Sequence, residues 1–380
     1  MIARILRLLV STSLWFVFAL TVHAAGCFVY FGTTSEKNTS EGIYLARFDP
    51  DTGKLSPATL ATKITSPMFI NFHPGKPVLY AIGETKTTEG KTKGHVASYA
   101  VDRSTGALTL LNQQPGGGDA LCYVLVDRTG RVALTAAYRD GFVATHPLRD
   151  DGSLGEYKSL VRHSGSSVHP RQKSPHAHNI DLDPANRFAL VADLGLDQVL
   201  TYRLDPATGT IAQQPEPFLT KPGAGPRHVA FDPAGKHVYI VNELDNTIIA
   251  ADYDSKTGRL KEKQTLTLLP PDYKGESTAA EVVVHPSGKF LYASNRGYDS
   301  LALFAIELTS GKLTFVEHMR EGIKHPRHFA IDPTGHWLLC ANRDNDSVTV
   351  YKIEQATGRL TPSSGSVTIP MPTCVKFFAP

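Results

Sequence analysis

One short pattern returns seven times along these 380 residues and constrains the fold more than any other feature. It runs as an acidic residue, a small turn segment, a glycine, and an aliphatic residue two positions on. The copies are Asp49–Leu55, Asp102–Leu108, Asp150–Leu154, Asp205–Ile211, Asp254–Leu260, Glu307–Leu313 and Glu354–Leu360. Their glycines (Gly53, Gly106, Gly152, Gly209, Gly258, Gly311 and Gly358) stand on average about 51 residues apart, the length of one four-stranded unit of sheet. Each glycine supplies the positive φ that a tight hairpin turn demands.

A second pattern alternates with the first. Gly225–Glu243 reads GPRHVAFDPAGKHVYIVNE: a short apolar strand, an Asp-Pro-x-Gly turn, and another short strand. Related copies run Pro67–Glu84, Leu121–Tyr138, Ala177–Leu194, Ala279–Arg296 and Pro326–Arg343. Each unit thus reads strand A, turn, strand B, loop, strand C, glycine turn, strand D. No stretch shows sustained helical periodicity with caps. The predicted class is all-β, a seven-bladed β-propeller.

The two chain ends support a closed ring. Phe28–Phe31 reads as a strand B and Gly42–Phe48 as a strand C, with no strand A before them. Pro372–Phe377 reads as a strand A with nothing after it. Pairing the two ends completes one blade, called blade 1 below, and leaves no wide sheet edge open. Seven repeats in an open solenoid would leave the missing piece and the surplus piece unexplained.

Ahead of the repeats, Arg4 and Arg7 precede an apolar stretch from Leu8 to Val22, followed by His23-Ala24-Ala25-Gly26. That order describes a secretory signal peptide over residues 1–25, with 26–380 as the propeller, in the periplasm or outside the cell. An uncleaved anchor and lipidation at Cys27 are the alternatives, although Ala24 sits where a lipoprotein signal wants a larger aliphatic. No other segment is long enough to span a bilayer, so stable membrane insertion after cleavage is not expected. The net charge of +3, with no Lys/Arg run, gives no case for nucleic acid. Cys27, Cys122, Cys340 and Cys374 show neither a CxxC pair nor framework spacing and are expected to be mostly buried free thiols. The sequence is silent on oligomeric state.

Propeller geometry sorts residues by face. The A–B and C–D turns share the bottom face, so the B–C loops and the D-to-A crossovers share the top. The start-of-A slot holds Met68, Cys122, His178, Arg227, Ala280, Arg327 and Thr373. The end-of-B slot holds Thr33, Glu84, Tyr138, Leu194, Glu243, Arg296 and Arg343. A purely structural slot would be filled alike in every repeat. Here the filling is mixed and charged, concentrated in blades 4 to 7, and unlike charges at a channel mouth are costly to desolvate without a use.

Structural uses remain open for each. Arg227 and Arg327 lie in Pro-Arg-His triplets and are able to bond neighbouring carbonyls; Glu243 is able to serve as an arginine's partner; His228 and His328 suit a packed layer. His176 and His178, two apart at a strand start, are expected to point the same way. No third ligand has metal-site spacing, so no metal and no cofactor are expected. The long polar crossover Gly165–Ser174, with His169 and Lys173, is either a lid or a solvated loop. No Gly-x-Ser-x-Gly elbow or phosphate loop occurs.

With these residues placed, the chain resembles the seven-bladed propeller lactonases, which include bacterial 6-phosphogluconolactonase and fungal 3-carboxy-cis,cis-muconate lactonizing enzyme. The likeness runs from about Phe28 to Phe377. It rests on Pro175-His176-Ala177-His178, Gly225-Pro226-Arg227-His228, Val241-Asn242-Glu243-Leu244 and Ser294-Asn295-Arg296-Gly297. The resemblance implies a catalytic set of His178, Arg227, Glu243 and Arg296, acting on a small-molecule lactone. His178 or Glu243 would be the general base, and the two arginines would hold the anionic group or the developing oxyanion. His176, His228, Arg327 and Arg343 are expected to bind substrate around them. The export signal is a departure from cytoplasmic sugar-phosphate metabolism and points toward a non-phosphorylated sugar lactone or another carboxylate-bearing lactone. A muconate-type cycloisomerase and a non-catalytic exported propeller that binds a protein or glycan are the competing readings.

Overall fold

The computed structural model describes residues 26–36 and 39–379, so the expected signal segment lies outside the described residues. Seven antiparallel sheets of four or five strands surround a central channel. The only helical element among the described residues is a three-residue 3-10 turn, Arg343–Asn345. None of their helices is long and apolar enough to cross a membrane.

Blade 1 is assembled from both ends of the chain. Its strand B, Cys27–Thr33, pairs on one side with strand C, Gly42–Asp49, and on the other with the C-terminal strand A, Pro372–Phe378. Blades 2 to 7 follow in sequence order, each laid down strand by strand from the channel outward. The outermost strand D is broken in two in blades 1, 4 and 7, where the single expected strand becomes two short ones.

The turns explain why the repeats recur. In blades 3, 4, 5 and 7 a carboxylate oxygen of Asp127, Asp183, Asp232 or Asp332 accepts two successive backbone N–H groups across the A–B turn. In blade 2 the Nδ1 of His73 accepts the N–H groups of Gly75 and Lys76 instead, and in blade 6 the Nδ1 of His285 accepts that of Ser287 alone. The seven C–D glycines all have φ between 68° and 84°. They also dock the next blade onto the last. Tyr30, Tyr80, Tyr239 and Tyr292 donate their hydroxyls to the carbonyls of Gly106, Gly152, Gly311 and Gly358. Thr145 and Thr201 do the same for Gly209 and Gly258. Trp337 of blade 7 closes the circle, its indole N–H donating to Pro50 O of blade 1 at 2.7 Å.

The core is the apolar filling between neighbouring blades. All four cysteines are buried and unpaired, as expected, including Cys27, which packs between blades 1 and 7.

Candidate active site

The top of the channel is shaped by irregularities in strand A. In blades 3, 4, 5, 7 and 1 the pairing of strand A with strand B skips one residue: Cys122, His178, Arg227, Arg327 and Thr373. In blade 6 the skip takes in Ala280 and Glu281. A bulged residue leaves the ladder and is re-aimed. As a result two consecutive side chains of a strand face the channel where alternation would allow one. Arg227 and His228, and Arg327 and His328, line the same small void beside His178 and Glu281.

Glu243 is the electrostatic centre of the upper layer. It directly follows strand B of blade 5, His237–Asn242, and its backbone N–H donates to Gly225 O at 2.7 Å. Its Oε1 lies 2.6 Å from Arg171 Nη2, and its Oε2 lies 2.8 Å from Arg227 Nε and 3.0 Å from Arg296 Nη2. The Arg227 Nε contact is an ion pair without the alignment of a hydrogen bond. Arg227 Nη1 donates instead to Ala280 O (2.7 Å), and Arg296 Nη2 to Ala279 O (2.8 Å). Both structural uses foreseen for Arg227 and Glu243, bonding carbonyls and pairing, therefore occur together in one cluster.

A cavity of about 230 Å³ opens over this cluster, lined by Glu36, Met68, Tyr138, Arg171, His178, Glu243, Arg296 and Arg327 among others. Of the expected catalytic residues His178, Glu243 and Arg296 reach it, and Arg227 stands directly behind Glu243. Of the expected substrate-binding residues Arg327 reaches it. The other three do not line it. His228 lies one layer down with its Nδ1 2.9 Å from Glu281. Arg343 stands toward the rim, paired with Asp344 at 2.7 Å and 3.7 Å from Glu36. His176 stacks on Tyr138 with ring centroids 4.4 Å apart, its Nδ1 bonded to Tyr138 O. His178, which the strand pairing skips, packs edge-on against the same Tyr138 ring, with centroids 5.5 Å apart.

Arg171 lines the same cavity and was missed by the repeat comparison, since crossovers have no repeat register. The crossover that bears it is tied down at both ends. Asp193 holds both its ends, through His163 Nδ1 at 2.6 Å and the His176 N–H at 2.7 Å. Arg171 Nη2 also donates to the Tyr138 hydroxyl at 3.0 Å. Tyr138 was visible in the end-of-B slot, but its neutral side chain did not stand out there.

The charges sort themselves by surroundings. Burial works to raise the Glu243 carboxyl, but Arg296, Arg227 and Arg171 outweigh it and hold the group far below the usual carboxylate range. Burial, reinforced by Arg227 and other nearby positive charge, pulls the His178 imidazole well below its ordinary value, so it is neutral at physiological pH. Its Nδ1 is buried without a partner. Burial and the neighbouring guanidiniums also pull Arg327 down to about 9. Arg296, similarly buried, falls to about 10. Both remain cationic at neutral pH, and the guanidiniums around the cavity outnumber the one glutamate they share.

Below the upper layer the channel is stopped. Glu281 sits between His228 and His328 (2.9 and 3.4 Å), and Phe69 packs on Tyr123 with ring centroids 4.0 Å apart. The void between this layer and the site measures only about 10 Å³. A separate depression of about 650 Å³, lined by Asp181, Glu281 and Lys376 among others, opens on the bottom face. A groove of about 730 Å³ between blades 2 and 3 lies outside the channel, its Lys93 already paired with Asp119 at 2.7 Å. Among the described residues no group of three or more His, Cys, Asp or Glu is placed to hold a metal ion.

Comparison with known proteins agrees with this architecture. Residues 28–377 match the model of the family described as lactonase, 7-bladed beta-propeller. The 6-phosphogluconolactonase of Bacillus subtilis is 36% identical over 348 residues, covering 92% of this chain and 97% of its own. The structure of the periplasmic gluconolactonase of Pseudomonas aeruginosa superposes with a TM-score of 0.87 at 31% identity, covering 93% of this chain and 99% of that one. A solved structure from Bacteroides fragilis gives 0.86 at 32% identity, covering 94% and 99%. By sequence along nearly its whole length and by fold, the chain belongs to the seven-bladed β-propeller lactonases.

Proposed function

We propose that the chain is a lactone hydrolase that opens a small anionic or sugar lactone in the cavity above Glu243. The observation that carries this reading is a neutral imidazole, His178, with an unpartnered buried nitrogen beside guanidiniums that outnumber their one carboxylate. Two family members named for closely related ring substrates, a gluconolactone and its 6-phospho derivative, support the substrate class. The signal-like N-terminus and the periplasmic Pseudomonas relative favour an exported enzyme.

The steps follow from the charges. His178 takes a proton from water as the oxygen attacks the lactone carbonyl carbon. Arg296 and Arg327 stabilise the tetrahedral oxyanion. Collapse breaks the ring C–O bond, and the imidazolium returns its proton to the departing alkoxide. Glu243 is the weaker choice of base, because three guanidiniums hold it ionised and occupy both its oxygens. It organises the arginines instead.

The test is lactone opening by the chain from residue 26 onward, followed by pH-stat on glucono-δ-lactone and its 6-phosphate. His178→Ala is expected to lower turnover on the order of 10²–10⁴-fold with an unchanged circular dichroism spectrum. Turnover by the variant equal to the parent's would end the reading. Lactone formation from an unsaturated dicarboxylate would replace it with the cycloisomerase.

A further inference from the structure

Asp197 lies at the tip of the B–C loop of blade 4, buried, with its backbone in the left-handed region at φ 55°. Its Oδ1 accepts from Gln172 Nε2 and from the Gly225 N–H, both at 2.7 Å. Its Oδ2 accepts from Ser167 Oγ at 2.5 Å and from the Gly223 N–H at 2.7 Å. Its backbone carbonyl accepts the Thr220 N–H at 2.9 Å and the Thr220 hydroxyl at 3.2 Å. These donors belong to two different crossovers, 163–176 leading into blade 4 and 220–225 leading into blade 5.

What the crossovers carry gives the contact its meaning. Gln172 adjoins Arg171, whose guanidinium reaches Glu243 Oε1. Gly225 is two residues before Arg227, whose Nε reaches Glu243 Oε2, and its carbonyl accepts the Glu243 N–H. One buried carboxylate therefore ties together the backbones on both sides of the Arg171–Glu243–Arg227 array. Four donors meet two oxygens, a count that only the ionised carboxylate accommodates. An amide of the same shape turns an N–H toward a backbone N–H.

We propose that Asp197 is a positioning residue, which sets Arg171 and Arg227 against Glu243 and so fixes the anion-binding end of the site. The proposal rests on the lactonase reading for the identity of the substrate, not for the geometry. Gln172 serves as the link on the Arg171 side, its Nε2 also donating to Leu194 O at 2.7 Å.

The test is a cycle of Asp197→Asn, Arg171→Ala and the double variant. Two readouts are used: KM and kcat on 6-phosphoglucono-lactone, and calorimetric binding of 6-phosphogluconate, which needs no turnover. Asp197→Asn is expected to weaken KM and binding about 10-fold with a smaller change in kcat, the loss expected of a displaced charge-assisted contact. In the Arg171→Ala background the same change is expected to shrink to about threefold, because the share carried through Arg171 is already lost while the Arg227 side remains, and coupled residues do not add. Gln172→Ala, which cuts only the Arg171 side, is expected to give part of the effect and serves if Asp197→Asn does not fold. Unchanged binding in Asp197→Asn, full additivity with Arg171→Ala, or a parent chain that binds no phosphogluconate overturns the proposal. Binding that follows the cycle in a chain that opens no lactone overturns the hydrolase reading and leaves Asp197 in its role.

Discussion

Glu243 and His178 stand in one cavity with opposite relations to charge. Glu243→Gln leaves Arg171, Arg227 and Arg296 without their shared anion, and removing one partner of a buried ion cluster costs about 3–5 kcal/mol. Chemical denaturation at neutral pH checks this. The folded carboxyl titrates below its unfolded value, so its stabilisation is complete above the unfolded carboxylate range and is lost as pH falls through the folded value. The parent and variant are therefore expected to converge in acid. His178 is depressed as well, and a base that stays neutral below about pH 6.5 keeps turnover level from pH 7.5 down to 6. A sigmoidal loss of kcat across that interval in the parent counts against His178 as base. The residues the sequence made readable share one property: each fills a slot that recurs in every blade, so an odd filling stands out. Arg171 lies in a crossover, where no repeat exists to compare, and the loop position of Asp197 recurs as Asn246, Asp299 and Asp346, all at φ 53–55°, so it does not stand out. The bulges of strand A were not readable either, because a period-2 argument assumes an unbroken ladder.

Among the elements, the C–D turns were the easiest to read and the most constrained. A Cβ on Gly311 would lie 2.4 Å from the His237 ring of the preceding blade, and φ there is 68°. Gly311→Ala is expected to cost about 1–3 kcal/mol through backbone strain and the displaced ring. Thermal unfolding with an unchanged midpoint would refute it. The A–B turns were readable for a related reason, since Asp-Pro-x-Gly is the signature of a side chain capping its own turn. The split of strand D in three blades was not readable. Outer strands are half exposed, so their pattern lacks the run of buried residues that marks strands B and C.

At the scale of the molecule, the whole ring depends on a strand that arrives last. Val29 and Phe31 are buried between blades 1 and 7, and removing residues 372–380, Val375 among them, uncovers both along with the inner edge of Cys27–Thr33. That truncation is expected to abolish a cooperative thermal transition and to give aggregates on size-exclusion chromatography; a folded monomer would show that closure is dispensable. Closure was readable from the sequence because an absence at one end matched a surplus at the other. The floor of the site was not, since Glu281 and the two histidines meet only through three-dimensional neighbours. That floor makes the channel a well with a single door. On the proposed reading, the spent acid, one negative charge richer than its lactone, climbs out past the arginines that drew the lactone in, so whatever holds the incoming molecule also sets how soon the next can enter.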